Sequence, residues 1–424
     1  MSTVMRAASA ALITGALALV STVPAAAAPG PGTERITVSA TGEQGDDHAY
    51  GPHLSADGRF AVFTAAAENL VPGDSNKLHD VFVRDLRKGT VERVNVASDG
   101  TQADGMSSAL DISSDGRYVL FLSRARNLAA WETPPADDFA EDVYLHDRRT
   151  GRTERVSAGL DGGSAYAFGG AMSADARYVA FSARPNRMEA DDPNIFRAVY
   201  LLDRRTGDVR RVANREHPGW PAQVVGVSAD GRKVAYSQIE YRGPRGALWV
   251  YDRRTGTEEQ ANVTAGGTPS STAPLNASFS ADGRRVAFES SAADLVPGDT
   301  NEQTDVFVRD LRGDTTTRVT HDSGEASGVY NPALSPDGRY VAYEAAVRGD
   351  DGYLGPSNVY LRDLRTGATR LVSESLTGGP VTDEYVTVYS VTRGGGAVGF
   401  SSDSASLVTG DTNGRADGFV RRMR

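Results

Sequence analysis

The sequence contains no cysteine and only three lysines among its 45 basic residues. The absence of cysteine excludes disulfides, thiolate metal sites, cysteine nucleophiles and the usual point of lipid attachment in bacterial lipoproteins. The formal net charge of −10 suits a phosphate-rich partner poorly, so we expect no nucleic-acid ligand. Neither a G-x-S-x-G nor an H-E-x-x-H motif is present, so the chain lacks these signatures of serine hydrolases and zinc proteases.

Long apolar runs are also missing, except near the N-terminus. Residues 1–27 hold one arginine, Arg6, followed by an Ala-rich apolar stretch, Pro24 and the small residues Ala25 and Ala27. This order is typical of a secretory signal peptide that is cut after Ala27. A membrane anchor is the alternative, but the run is shorter than the ~20 apolar residues that a span needs. We therefore expect an exported monomer, secreted or extracytoplasmic, with no membrane span in its mature form.

One phrase recurs along the rest of the chain. Its sixth copy is SPDGRYVAYEA, and the first serine of each copy serves here as the origin of a unit. The units begin at Ser55, Ser113, Ser173, Ser228, Ser280, Ser335 and, in a worn copy, Thr392. The intervals between them are 58, 60, 55, 52, 55 and 57 residues. A repeat of this length is typical of architectures in which every unit is one supersecondary element.

Each unit contains four short pieces of strand-forming sequence. In the sixth unit they are YNPAL (330–334), RYVAYEA (339–345), NVYLRDL (358–364) and ATRLVSE (368–374). β-Branched and aromatic residues dominate these pieces, and Asp-Gly or Thr-Gly turns separate the first from the second and the third from the fourth. Four antiparallel strands repeated radially form a β-propeller blade, whereas stacking in a line would give a solenoid.

The two ends of the chain favour the propeller. The seventh unit has three strand pieces, and ERITVSA (34–40) near the N-terminus matches the fourth-strand piece ERVNVAS (92–98). A first strand that completes the last blade closes the ring and removes an exposed sheet edge. The sequence therefore predicts an all-β chain whose residues 28–424 form a single seven-bladed β-propeller, closed by the N-terminal strand.

The phrase S-x-D-G-R-x-[VA]-[AVL]-[FY], followed by [FY]-[VL]-x-D-[LR]-R-[TKG]-G, resembles the TolB-like propeller repeat, a WD40-like unit of exported bacterial proteins. The resemblance covers nearly the whole mature chain. It implies the fold, and it implies one of several functions: partners of envelope complexes, propeller domains of peptidases, or lyases of pectic fragments. TolB itself has six blades and a separate N-terminal domain, so this chain departs from it and a Tol-Pal role is not expected.

Two sets of repeated aspartates are interpreted as structural. The turn aspartate caps its own turn, and a later aspartate pairs with an arginine or with turn amides. The turn aspartates are Asp57, Asp115, Asp175, Asp230, Asp282 and Asp337, and the later ones are Asp85, Asp147, Asp203, Asp252, Asp310 and Asp363. A ligand-binding role for the repeated turn is the alternative.

A second motif, G-D-x-N-x-x-x-D, recurs in three connections between the second and third strands. Side-chain oxygens at this spacing in a tight loop could hold Ca²⁺, although the loop is shorter than an EF-hand and lacks its closing Glu. The structural alternative is a set of Asx turns whose carboxylates satisfy loop amides. The residues concerned are Asp74, Asn76, Asp80, Asp299, Asn301, Asp305, Asp411, Asn413 and Asp417. No other cofactor is indicated.

Alignment of the units also indicates a candidate channel site. Two residues before each origin, the units carry small residues except for His53 and Asp111, which belong to adjacent blades. Strand alternation places this column towards the central channel and the apolar residue beside the origin between blades. His53 and Asp111 could therefore meet as a general base, a metal-ligand pair or a stabilising hydrogen bond.

The remaining candidates lie in the connections that vary between units. Because loops on a rigid scaffold usually carry the binding and catalytic residues, we expect function on the face that carries these connections. Its aromatic residues Trp131, Trp220, Tyr330 and Tyr385 are candidates for binding a ligand. Two hypotheses follow: an exported scaffold that binds a protein, peptide or carbohydrate on this face, or a channel-centred lyase or hydrolase of polysaccharide.

Overall fold

The computed structural model of the chain describes residues 32–133, 138–159, 162–189, 196–212, 220–240, 243, 245–270, 272–274, 276–301, 303–319, 326–348 and 354–423. The predicted signal peptide lies outside these residues and stays a prediction.

Strands make up almost all of the regular structure in this described part of the chain. In chain order they are β1 (Gly32–Arg35), β2 (Ala49–Leu54), β3 (Phe60–Ala65), β4 (Asp80–Asp85), β5 (Thr90–Arg93), β6 (Ser107–Ile112), β7 (Tyr118–Ser123), β8 (Asp142–Asp147), β9 (Arg152–Arg155), β10 (Gly170–Met172), β11 (Tyr178–Ala183), β12 (Ala198–Asp203), β13 (Asp208–Arg211), β14 (Ala222–Val227), β15 (Lys233–Ile239), β16 (Gly246–Asp252), β17 (Thr257–Gln260), β18 (Ala277–Phe279), β19 (Arg285–Ser290), β20 (Asp305–Asp310), β21 (Thr315–Arg318), β22 (Ala326–Leu334), β23 (Tyr340–Arg348), β24 (Leu354–Asp363), β25 (Thr369–Leu371), β26 (Val386–Val391), β27 (Ala397–Ser402) and β28 (Asp417–Arg422).

Two short helical pieces interrupt the strands, α1 (Pro185–Met188) and a 3₁₀ turn at Arg393–Gly395. Among the described residues, no helix combines the length and apolar character that crossing a bilayer requires.

The strands form seven antiparallel sheets of four, which confirms the predicted propeller. Blades 1 to 6 are β2–β5, β6–β9, β10–β13, β14–β17, β18–β21 and β22–β25, and blade 7 is β26, β27, β28 and β1. Within each blade the first strand is innermost. The turns that join the first strand to the second and the third to the fourth lie together on one face, which we name the turn face. The longer connections lie on the opposite face, which we name the variable face.

The N-terminal strand completes the last blade, as predicted. β1 pairs with β28 in antiparallel register, with Glu34 opposite Val420. The strand occupies 32–35 instead of the expected 34–40, because the chain then turns to form an isolated bridge between Val38 and Gln44. The same kind of bridge follows the fourth strand in four other blades, so the short outer strand is a property of the repeat.

The core lies between blades. One buried cluster, for example, joins Val143 and Leu145 of blade 2 to Met172 and Phe181 of blade 3. Met172 stands next to a unit origin, so the predicted packing of that apolar column between blades is confirmed. The second and third strands of six blades also place two aromatic rings against each other: Phe63–Phe82, Phe121–Tyr144, Phe181–Tyr200, Phe288–Phe307, Tyr343–Tyr360 and Phe400–Phe419.

The repeated phrase builds the turn face. The Ser55 hydroxyl donates to the Asp57 carboxylate at 2.8 Å, and this carboxylate accepts the Arg59 backbone N–H at 3.0 Å. The Arg59 side chain pairs with Asp85 at 2.9 Å. The structural interpretation of both aspartate sets is thus confirmed in blade 1, and the same arginine–aspartate pair recurs as Arg117–Asp147, Arg177–Asp203, Arg232–Asp252 and Arg339–Asp363.

Cation–π contacts between arginine side chains and an aromatic ring join neighbouring blades on this face. The Phe60 ring of blade 1 lies between the guanidinium groups of Arg59 at 4.6 Å and Arg148 of blade 2 at 4.5 Å. Gly116 of blade 2 has a φ of 72°, and a Cβ there would lie 2.1 Å from the Phe60 ring. The close approach of Phe60 leaves no room for a Cβ at Gly116, and glycine adopts the positive φ without strain, whereas the equivalent turn of blade 3 holds Ala176 at a φ of 56°.

Candidate functional site

The channel column places His53 in a cavity of about 350 Å³ along the propeller axis. Its ring lies 5.9 Å from the Tyr389 ring of blade 7, at an interplanar angle of 72°. Burial lowers the pKa of His53 to about 4, so the imidazole is neutral at physiological pH. A neutral imidazole can accept or donate a proton, but it supplies no fixed charge to the channel.

Asp111 lines the same cavity and bridges two blades through hydrogen bonds. Its carboxylate accepts the backbone N–H of Ile112 at 2.8 Å and that of Met172, in blade 3, at 3.1 Å. Burial raises the pKa of Asp111 to about 6, and the two amides partly oppose this shift. Ser278 and Ser390 occupy the same column and accept an amide of the next blade in the same way, at 3.0 and 3.1 Å.

His53 and Asp111 thus share a cavity, but among the described residues no hydrogen bond joins their side chains. Asp111 is engaged by amides of two blades, and burial is the whole cause of the lowered pKa of His53. The arrangement explains Asp111 as part of the scaffold. A catalytic role for the two residues stays a prediction.

A second cavity, of about 340 Å³, opens where the first strands begin, on the variable face. We name it the mouth cavity. Its polar lining is uncharged and comes from the inner strands of blades 4 to 7: Gln223, Ser237, Asn276, Asn331, Thr387 and Tyr389. Amide and hydroxyl groups around an open cavity suit a neutral ligand that forms hydrogen bonds.

Two buried glutamates stand behind the mouth cavity and hold its two asparagines. Glu289 accepts the side-chain amide of Asn276 at 3.0 Å and the backbone N–H of Asn331 at 2.8 Å. Glu344 accepts the side-chain amide of Asn331 at 3.0 Å and the backbone N–H of Val388 at 2.9 Å. The asparagine amides also bond each other at 2.8 Å. The glutamates therefore join blades 5, 6 and 7 and fix the orientation of the amides that line the cavity.

Burial dominates the electrostatics of this network. It raises the pKa of Glu344 to about 7, with a further increase from the nearby charge of Glu289. It also raises the pKa of Glu289. Asn331 adopts a φ of 50°, a conformation that asparagine tolerates better than most residues. Such a backbone, held by buried carboxyls beside a cavity, is the kind of local strain that clusters at functional sites.

The predicted ligand-binding aromatics differ in accessibility. Tyr385 is 57% exposed. Trp131 is half-buried, with the Arg155 guanidinium 3.8 Å from its ring, and Trp220 is half-buried, with Arg245 at 5.7 Å. Tyr330 is half-buried within β22. Of the four, Tyr385 is the ring most accessible to a ligand.

Exposed large apolar side chains are concentrated on the variable face. Five of the six in the described part of the chain lie at its loops or strand starts, namely Tyr50, Met106, Phe139, Leu376 and Tyr385. The sixth, Val209, lies on the outer strand β13.

Tyr50 is the centre of an aromatic group on this face. Its ring contacts His48 at 6.0 Å and His79 at 6.2 Å between ring centroids. Burial raises the pKa of Tyr50, and the nearby charges of Asp403, Asp47 and Tyr389, the last of which lines the mouth cavity, raise it further. The aromatic group and the mouth cavity are therefore neighbours.

The G-D-x-N-x-x-x-D loops hold an arginine between their two aspartates. In blade 1 the Arg93 guanidinium lies 3.1 Å from Asp74 and 3.5 Å from Asp80. The Gln102 amide donates to the same two carboxylates at 2.7 and 3.1 Å, and Asn76 donates to Asp80 at 3.3 Å. The positive charge between the acids thus comes from the protein itself.

The other two loops repeat this arrangement with residues of their own blades. The arginine–aspartate contacts are Arg318 with Asp299 at 2.8 Å and Asp305 at 3.6 Å, and Arg35 with Asp411 at 3.5 Å and Asp417 at 3.4 Å. Asn301 donates to Asp305 at 3.0 Å, while Asn413 donates to the Gly45 carbonyl at 2.9 Å. Within the described ranges, no group of three or more His, Cys, Asp and Glu side chains could hold a metal ion. Calcium binding at these loops stays a prediction.

Sequence reasoning missed the glutamates behind the mouth cavity, although a signal was present. Nine residues after each origin the units carry Thr64, Leu122, Ser182, Ser237, Glu289, Glu344 and Ser401. Two consecutive acids in this column of mostly small polar residues mark blades 5 and 6 as different. Thr64 and Ser182 accept an amide of the next blade at 2.9 Å, which shows the ordinary structural role of the position.

The fold is similar to that of several solved propellers. Oligogalacturonate lyase from Vibrio parahaemolyticus is 12% identical with a TM-score of 0.57, and the match covers 92% of this chain and 93% of that one. The β-propeller domain of the Trilobed protease from Pyrococcus furiosus is 10% identical with a TM-score of 0.55, over 88% and 95%. TolB from Acinetobacter baumannii is 17% identical with a TM-score of 0.41, over 80% and 67%.

The chain is a seven-bladed β-propeller, as the repeat predicted. Solved structures similar to it include TolB proteins. At such low sequence identities the similarity shows the fold alone, and function has to be inferred from the residues of the site. No protein-family profile and no curated protein matches the sequence.

Proposed function

We propose that this chain is an extracytoplasmic binding protein whose variable face takes a protein, peptide or carbohydrate ligand. The observation that carries the proposal is the concentration of exposed apolar side chains on that face, five of six in the described part of the chain. Apolar side chains scattered over a surface need no explanation, but a grouping of most of them on one face is typical of an interaction site.

The mouth cavity also favours the variable face as the binding surface. Its uncharged amide and hydroxyl lining can pair with peptide groups or sugar hydroxyls, and the Tyr389 ring offers an apolar wall beside them. The Glu289 and Glu344 carboxylates hold the asparagine amides in place before any ligand arrives. Such preorganisation lowers the entropic cost of binding.

The test begins with a screen of glycan and peptide arrays, followed by titration calorimetry on the best ligand. Replacement of Tyr50 by alanine removes an exposed ring from the variable face, and Tyr385→Ala does the same in the neighbouring blade. We expect each variant to lose at least about fivefold in affinity, since a hot-spot side chain contributes more than about 1 kcal/mol.

Val209→Ala is the matched control, because Val209 is an exposed apolar residue on the outer strand. It should bind as the parent does. Equal losses in all three variants, or no loss in either tyrosine variant, would remove the variable face from the account.

The alternative, a lyase or hydrolase of polysaccharide, depends on the channel cavity and its neutral His53. His53→Ala distinguishes the two functions: a channel enzyme loses turnover on oligogalacturonate and related polymers, whereas a binding protein keeps its affinity. Turnover by the parent that His53→Ala abolishes would replace the binding proposal with the enzymatic one.

A further inference from the structure

The turn face carries a feature that the folding of the blades does not use. Every blade with a turn between its third and fourth strands has an arginine two residues after the later aspartate. These arginines are Arg87, Arg149, Arg205, Arg254, Arg312 and Arg365, and all six are exposed. Because the repeat relates their positions by rotation, they form one ring at one level of the propeller. We name it the arginine ring.

The backbone of these residues has a structural role, but their side chains do not. Each backbone N–H donates to the preceding aspartate at 2.9 to 3.0 Å, which any residue except proline could do. Among the described residues, none of the six guanidinium groups makes an ion pair, a hydrogen bond or a ring contact. The arginines of the first turns differ, since Arg59 and its equivalents pair with aspartates.

The charge of the two kinds of turn is opposite in sign to that of the whole chain. The thirteen turns, 55–59 and 85–90 with their equivalents, carry a net charge of +4, whereas the chain carries −10. The turn aspartates, represented by Asp57, form an inner ring closer to the channel. The turn face is thus an outer basic ring around a smaller acidic centre.

We propose that the arginine ring docks the propeller onto a bilayer rich in anionic phospholipid. Six exposed arginines at one level of the propeller can reach a plane of phosphates together, and guanidinium matches phosphate oxygens in paired hydrogen bonds. A fluid bilayer can also place anionic lipids under the outer ring and zwitterionic lipids under the acidic centre. A rigid polyanion that crosses the face cannot make this adjustment.

The composition of the turn face indicates that it contacts the headgroups of the bilayer and does not insert into the hydrocarbon region. In the described ranges, the exposed large apolar side chain nearest the turn face is Val209, which directly follows the turn 203–208, and a single valine offers little area for insertion. Attachment by this face leaves the variable face, with its aromatic group and mouth cavity, pointing away from the bilayer.

The test is flotation of the purified chain with vesicles of phosphatidylglycerol and phosphatidylcholine at low salt. We expect binding to vesicles that contain phosphatidylglycerol, none to pure phosphatidylcholine, and a decline as salt screens the contact. Each arginine at an anionic surface contributes about fivefold to partitioning. The variant Arg149→Gln/Arg205→Gln should therefore bind roughly 25-fold more weakly.

The variant Lys77→Gln/Arg126→Gln is the matched control, because it removes two positive charges from loops of the variable face. It should partition as the parent does, and unchanged thermal unfolding should show that both variants are folded. Failure of the parent to bind phosphatidylglycerol vesicles overturns the proposal, as do equal losses in the two variants. If the chain binds soluble polyphosphate but not vesicles, the arginine ring binds a free polyanion and the bilayer proposal is wrong.

Discussion

Replacement of Glu344 by glutamine should make the propeller more stable at alkaline pH. Glu344 is 6% exposed, and burial raises its pKa to about 7 from an ordinary 4.5. Since one pKa unit corresponds to about 1.4 kcal/mol, the ionised carboxylate lowers the free energy of unfolding by roughly 3 kcal/mol above pH 7. Glutamine keeps the carbonyl that accepts the Val388 N–H and carries no charge.

The sign follows from the raised pKa. Below about pH 4.5 the carboxyl is protonated in both the folded and the unfolded state, and its contribution to stability is fully present. As the pH rises towards 7, the unfolded chain releases the proton first, so the free energy of unfolding falls. Asp111 and Asp142, with pKa values raised to about 6, add the same slope to parent and variant and cancel in the difference.

Urea unfolding at pH 5 and pH 8 measures the effect. The stability of Glu344→Gln minus that of the parent should grow by about 2 to 3 kcal/mol between these two pH values. Glu384→Gln is the control, because Glu384 is exposed and should show a difference near zero at both. A Glu344→Gln variant whose advantage stays constant with pH, or which is less stable than the parent at pH 8, would refute the reasoning.

Three further predictions follow from other parts of the fold. Arg93→Ala leaves Asp74 and Asp80 without their guanidinium and should lower the free energy of unfolding by about 3 kcal/mol in urea titrations, whereas an equal stability would show that the pair contributes nothing. Gly231→Ala places a Cβ 1.9 Å from the Tyr178 ring at a φ of 67°, and calorimetry should show a loss of several °C in Tm. Thermal shift in Ca²⁺ tests the loops: a rise in the parent that Asp74→Ala removes would support calcium, and no rise in the parent would exclude it.

The fold was predictable because its signal is repeated. Seven copies of the same phrase average out the ambiguity of any single strand, and the orphan piece near residue 34 indicated how the ring closes. The error lay in the extent of that strand. The Ile36 N–H still donates to the Gly418 carbonyl at 2.9 Å, but the chain then leaves β28 and turns back on itself, with the Ser39 N–H donating to the Glu43 carbonyl at 2.8 Å. Alternation reports which side chains are buried, and it does not report which backbone groups are paired.

The site was less predictable, because its parts come from positions that the repeat leaves free. His53 and Asp111 line one cavity, and only the structure shows that Asp111 bonds amides of two blades. Exposure of Tyr50 and the mouth cavity depend on how loops of different blades meet. The periodicity of the sequence does not report which loops of different blades contact each other.

The most direct test of the account is a disulfide across the closure of the ring. Thr33 of β1 lies opposite Arg421 of β28, and the chain has no cysteine of its own. In Thr33→Cys/Arg421→Cys, mild oxidation should consume both thiols within one molecule, shift the band on a non-reducing gel and raise the Tm. Two thiols that stay free under oxidising conditions, or that link only between molecules, would contradict the closed propeller and both of the faces inferred from it.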